Sequence, residues 1–217
     1  MNIGKRYHFH YFYYAIGVIT TITIALCEGF YYGMHSDGPG TISDISIHLP
    51  EARVFSVGMN MVAWILLIVF YFNYEIVMIL WSVNGIPIDC TTMVAVIMHN
   101  VLCIGSFVGL TLLACITKEE NRTVHYVGIY LFIVSFSLYI LLYDCLCIVG
   151  GITVLKRSWT CTAAYFVFLI MALMFRIFSV SKIAYIVFEL CFVVCAFSKV
   201  SIQWKQLPPT RLELVKK

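Results

Sequence analysis

The chain has 217 residues, of which 62% are hydrophobic and only 12% charged, and its mean hydropathy is +0.94. A composition this apolar excludes an ordinary water-soluble domain and identifies an integral membrane protein. The formal charge of +3 is small, and the basic residues stand at the ends of apolar blocks rather than on one face, which excludes nucleic acid as a partner.

A membrane span takes about 20 apolar residues, so this length accommodates six helices and leaves no room for a separate soluble domain. The expected fold class is all-α: one integral membrane domain over 1–217, built as a polytopic bundle of six transmembrane helices with a short lumenal lid loop. The expected spans are about 11–32, 54–72, 91–116, 124–149, 161–180 and 183–200.

Lys5 and Arg6 precede the first apolar run. That run is too long for a signal peptide and has no small-residue cleavage site before Glu28, so it is read as a retained span. The aromatics from Tyr7 to Tyr14 form an interfacial belt at its entrance. A turn cluster, Ser36-Asp37-Gly38-Pro39-Gly40, then leads into the polar interval from Thr41 to Asn60, which holds Asp44, His48, Glu51 and Arg53. Pro50 followed by Glu51 suits the first turn of a helix. Ile42, Ile45, Ile47 and Leu49 are too apolar to stay in water, so the interval is expected to fold as a lid, with Asp44 accepting backbone N–H groups in a turn.

After the second span, Asn73 to Asp89 reads as a helix end and turn lying in the interface, marked by Trp81, Asn84-Gly85 and Pro87. The polar stretch Thr117 to Thr123 separates spans three and four. Gly150-Gly151 and Lys156-Arg157 close span four, a short link at Ser181-Lys182 joins spans five and six, and a polar tail runs from Gln203. The nine cysteines show neither a disulfide framework nor metal-site spacing.

Basic residues set the expected orientation. With both termini cytoplasmic, that side holds Lys5, Arg6, Lys156, Arg157, Lys199, Lys205, Arg211, Lys216 and Lys217, nine against the five at Arg53, Lys118, Arg122, Arg176 and Lys182. The sequon Asn121-Arg122-Thr123 then falls on the lumenal side, which makes Asn121 a glycosylation candidate.

Ionisable groups inside a bilayer are costly and point to function. At 1.5 Å per residue, Glu28 lies about 6 Å and Glu189 about 9 Å from the lumenal ends of their spans, level with His125. Arg176 and Lys182 flank the same layer, and Arg53 stands above it. Glu28, Arg53, His125, Arg176 and Glu189, with Asn100 below, make a candidate lumenal polar pocket. It admits two readings, a lipid-headgroup pocket with His125 and Glu189 in direct or water-bridged contact as a proton-handling pair, or a set of polar contacts holding the helices together. Asn100 and its neighbour His99 suit the second, while Glu75 and Asp144 are placed at the cytoplasmic boundary. No H-E-x-x-H, G-x-S-x-G, Gly-rich phosphate loop or Cys/His cluster is present, so no catalytic residue, metal or cofactor is assigned.

The ordered set Ile42-Ser43-Asp44, Pro50-Glu51, Phe55 and Asn60, then Asn100, Val124-His125 with Gly128, and Glu189, resembles the DRAM/FRAG/Sfk family over most of the chain. The proline-aromatic pair that usually precedes Ile-Ser-Asp is replaced here by Pro39-Gly40-Thr41. The resemblance implies a six-helix membrane fold with cytoplasmic termini. Members of that family divide among lysosomal modulators of autophagy, factors that remodel the lipid of GPI anchors in the ER and Golgi, and plasma-membrane partners of a phosphatidylinositol 4-kinase. The first loop is most similar to the autophagy branch. The expectation is therefore a non-enzymatic modulator of autophagy at the lysosomal or endosomal membrane, whose partners are membrane lipids and other membrane proteins. A GPI-lipid remodelling factor or enzyme of the secretory pathway is the alternative. The kinase partner is a further one, for which the short tail offers little surface.

Overall fold

The computed structural model describes residues 10–34, 41–87, 89–151, 153–179 and 181–206, with side chains as far as Gln203. Lys5, Arg6, the turn cluster at 36–40 and the basic tail after Gln206 lie outside the described residues. Six helices follow one another: α1 (His10–Met34), α2 (Glu51–Val83), α3 (Cys90–Cys115), α4 (Arg122–Val149), α5 (Lys156–Phe178) and α6 (Lys182–Gln206). All six are long and apolar enough to cross a membrane. Neighbours in sequence pack as α1 on α2, α2 on α3, α3 on α4 and α5 on α6, and α6 returns to α1. One end of the bundle therefore carries the Thr41–Pro50 loop, and the outer ends of α1 and α6 lie at the other; these are the loop end and the terminal end below.

Three boundaries differ from the sequence expectation, one of them at the last helix, which runs to Gln206 instead of ending near residue 200, so that Gln203, read as the start of a polar tail, is buried in the bundle. The second helix does not stop near Phe72 with an interfacial tail but continues to Val83. Asn73, which reads as an end marker, is wholly buried instead, because three other helices satisfy its amide. Tyr13 donates to its Oδ1 at 2.6 Å, and its Nδ2 donates to Tyr139 at 2.8 Å and to Gln203 at 2.9 Å. Trp81 and Asn84 also face protein, donating to the Leu146 and Gly150 carbonyls at 3.1 and 2.7 Å. The fifth helix starts at Lys156, five residues earlier than expected, and this draws Ser158 into the interior.

Helix α4 is central. Its Phe136, Tyr139, Ile140, Tyr143 and Cys147 recur at helical spacing and are fully buried. Its crossing with α3 needs two glycines: a Cβ on Gly109 would stand 2.8 Å from the Phe132 Cα, and one on Gly128 would stand 2.9 Å from the Leu113 nitrogen. Polar caps begin both helices. Asp89 accepts from the Thr92 amide at 2.8 Å and Asn121 from the Val124 amide at 3.1 Å. The Thr92 amide, with its hydroxyl, holds the Asp89 carboxyl below the usual carboxylate range.

Candidate functional site

The segment Thr41–Pro50 is a sequence of tight turns. Asp44 organises it: its carboxylate accepts from the Thr41 amide at 3.2 Å, while its own amide donates to the Thr41 carbonyl at 2.9 Å. Ile45 is completely buried, Ile42 and Ile47 are half-buried, and Leu49 alone of the four is turned outward, 60% exposed. Apolar burial of three of these side chains drives the loop onto the bundle.

Two helices then grip consecutive loop residues. Glu189 of α6 accepts the Ile42 amide hydrogen on Oε2 at 2.9 Å and the Tyr185 hydroxyl on Oε1 at 2.9 Å. His125 of α4, buried at the first turn of its helix, has Nδ1 2.7 Å from the Ile116 carbonyl and Nε2 3.3 Å from Ser43 Oγ. A carbonyl only accepts, so Nδ1 carries a hydrogen, and Nε2 is the ring nitrogen that meets Ser43 Oγ. Glu189 and His125 make no direct hydrogen bond with each other; each meets an adjacent residue of the loop, which links α4 to α6.

Beneath the loop is a chamber of about 90 Å³. Its wall is apolar, with Ile24, Phe55, Leu110, Phe132, Leu169 and Phe192 among the lining residues. Its polar groups are Ser43, Arg176, Tyr185 and Glu189, all at the loop end. The Arg176 guanidinium stands 5.3 Å from the Tyr126 ring and 6.0 Å from the Tyr185 ring, within cation–π range. Asp44 faces Lys118 and Lys182 at 3.9 and 4.0 Å. Apolar walls with a few convergent polar groups are the general make-up of a small-molecule site.

The remaining candidates divide. Glu28 is half-buried, Arg53 is exposed at the start of α2, and neither lines the chamber. Glu51 is fully buried at the start of α2, next to Pro50, and Phe55 lines the chamber wall. Asn60 donates to the Ser56 carbonyl one turn back at 2.8 Å. Asn100 is exposed on the outer face of α3, whereas His99 beside it is buried against Tyr139, ring centroids 5.3 Å apart. Asn121 is exposed at the start of α4. Among the described residues no group of His, Cys, Asp or Glu is arranged to hold a metal ion.

A second polar cluster lies toward the terminal end and corrects the placement of Asp144 at the membrane boundary. Lys199 of α6 and Asp144 of α4 are both buried, and the ammonium meets the two carboxylate oxygens at 2.7 and 2.6 Å. Lys199 also donates to Ser158 of α5. The pair replaces water for both charges. A signal for it exists in the sequence: Lys199 interrupts an apolar run, unlike Lys205 beyond it.

The family model described as the Frag1/DRAM/Sfk1/Cwh43P N-terminal domain matches residues 7–204. No curated protein and no solved structure matches the chain.

Proposed function

The chain belongs to the Frag1/DRAM/Sfk1/Cwh43 family, and from that premise we propose that it is a non-enzymatic modulator of autophagy in the lysosomal or endosomal membrane, working through a membrane lipid bound beneath its loop. The observation that carries the lipid part is the chamber's make-up, together with the wider crevice of about 560 Å³ that adjoins it between α1 and α6. The chamber is apolar in its wall and polar only where Ser43, Arg176, Tyr185 and Glu189 meet the loop. The basic-residue bias puts the loop end in the lumen and both termini in the cytoplasm. The autophagy part rests on the first-loop resemblance. A C-terminally tagged copy should coincide with lysosomal markers, and loss of the protein should lower autophagic flux, restored by the parent chain. Residence in the ER or Golgi with normal flux would defeat this reading.

One observation favours a second reading, a GPI-lipid remodelling enzyme of the secretory pathway. Ser43 is hydrogen-bonded to the His125 Nε2 whose ring orientation is fixed by the Ile116 carbonyl, and Ser43 lines the chamber. That is the arrangement of a serine nucleophile with its base. Ser43 Oγ would attack an ester carbonyl, its proton would pass through Nε2 to the departing alcohol, and water or an acceptor hydroxyl would then take the acyl group. Labelling by a fluorophosphonate that is lost in Ser43→Ala and in His125→Ala selects this reading; an unlabelled parent protein removes it.

A further inference from the structure

Two openings lie side by side in the bundle. The chamber beneath the loop shares the walls Ile24, Val193 and Phe197 with a crevice of about 560 Å³ between α1 and α6. Ala25 and Val194 at the lip of this crevice are exposed, so it opens sideways from the bundle. Its width comes from small residues, Gly17 and Ala25 on α1 and Ser198 and Ser201 on α6. The chamber alone is smaller than the roughly 300–1,000 Å³ of ligand sites, whereas the crevice falls within that range. Along α6 the two openings together span Glu189 to Ile202, roughly 20 Å at 1.5 Å per residue. A lipid chain needs about half of the ~30 Å hydrocarbon thickness, so one chain fits lengthwise.

The loop end selects the headgroup. Glu189 is occupied by Ile42 and Tyr185, and Asp44 is matched by Lys118 and Lys182. Arg176 is exposed, hydrogen-bonds Tyr185 and lies within electrostatic reach of Glu189, yet makes no contact ion pair among the described residues, so its guanidinium keeps donors to spare. Its planar fork of donors suits a phosphate. We infer that the α1–α6 crevice admits one acyl chain of an anionic glycerophospholipid from the bilayer, with the phosphate held at Arg176 and the chain running beneath the loop. This rests on the lipid reading above and adds the route of entry and the class of headgroup.

The test uses the full chain in phosphatidylcholine vesicles doped with phosphatidylserine that carries a diazirine in one chain. After irradiation, adducts should concentrate on residues 17–25 and 190–202 and should be competed by unlabelled phosphatidylserine. Phosphatidylcholine and inorganic phosphate should compete poorly. Arg176→Gln should remove the preference between the two lipids and keep the chain adducts. Ala25→Trp, at the exposed lip, should lower the adducts several-fold in a normally folded protein. Adducts spread evenly over all six outer faces, or unchanged by Ala25→Trp, would mean boundary lipid only and overturn the inference. Competition by inorganic phosphate alone would also overturn it, in favour of a free-anion site. If the adducts map as expected while flux and localisation do not, the site stands and the autophagy reading falls. The reverse result removes the site and spares that reading.

Discussion

Glu189 accepts the backbone hydrogen of Ile42 at 2.9 Å, tying residues 147 apart in the chain. The bond closes the loop over the chamber, and its other oxygen is engaged by Tyr185. Glu189→Gln keeps an acceptor for Ile42 and a donor for the tyrosine oxygen, so it should cost about 1 kcal/mol. Glu189→Ala strands both partners and should cost about 2–3 kcal/mol. Hydrogen exchange at 41–46 reads this directly. Exchange should rise a little in the glutamine variant and strongly in the alanine variant, and equal exchange in both would remove the clamp from consideration.

Orientation has its own measurement. A tag inserted after His48, which is exposed in the loop, should be protected when sealed vesicles are treated with protease from the cytoplasmic side. A tag at the C-terminus should be digested. The opposite pattern reverses the whole assignment of faces.

Much of this is legible in the sequence, for identifiable reasons. Hydropathy blocks located six helices because apolar length is a one-dimensional property. The turn role of Asp44 followed from the short carboxylate's reach to nearby amides, and helix rise put His125 and Glu189 level. What sequence could not supply was facing. His99 and Asn100 are adjacent, hence about 100° apart around a helix of 3.6 residues per turn, and only one can look inward. The structure turns His99 in and Asn100 out. Asn73 and Asp144 were misplaced for a related reason: their partners lie on other helices, 130 and 55 residues away, so a polar side chain that is satisfied inside looked like one at the boundary.

The α3–α4 crossing predicts a sharp contrast among glycines. Gly128→Ala would press its Cβ to 2.9 Å from the Leu113 nitrogen and 3.1 Å from the Gly109 carbonyl, both backbone atoms that cannot swing aside. Overpacking of this kind costs about 1–3 kcal/mol. Gly29→Ala meets nothing within 4 Å and should be neutral or slightly stabilising. Thermal unfolding in detergent should lower the Tm for the first and not the second. If both behave alike, the helices are not in this close contact.

The buried pair of Lys199 and Asp144 gives the last test. Neither side chain has access to water, and each is the other's main compensation, with Ser158 as a third partner. Removing one charge leaves the other uncompensated in a low-dielectric interior, which costs about 3–5 kcal/mol, whereas replacing both with uncharged groups of similar size is close to neutral. Lys199→Met and Asp144→Leu should therefore each be severely destabilised. The double variant should recover most of the loss, because nothing charged then remains to be solvated. The recovery, read as Tm or as the folded fraction in detergent, is the informative quantity. Singles that are mild would mean that water reaches the pair. A double variant as poor as the singles together would mean that the lysine and aspartate act on separate neighbours instead of on each other.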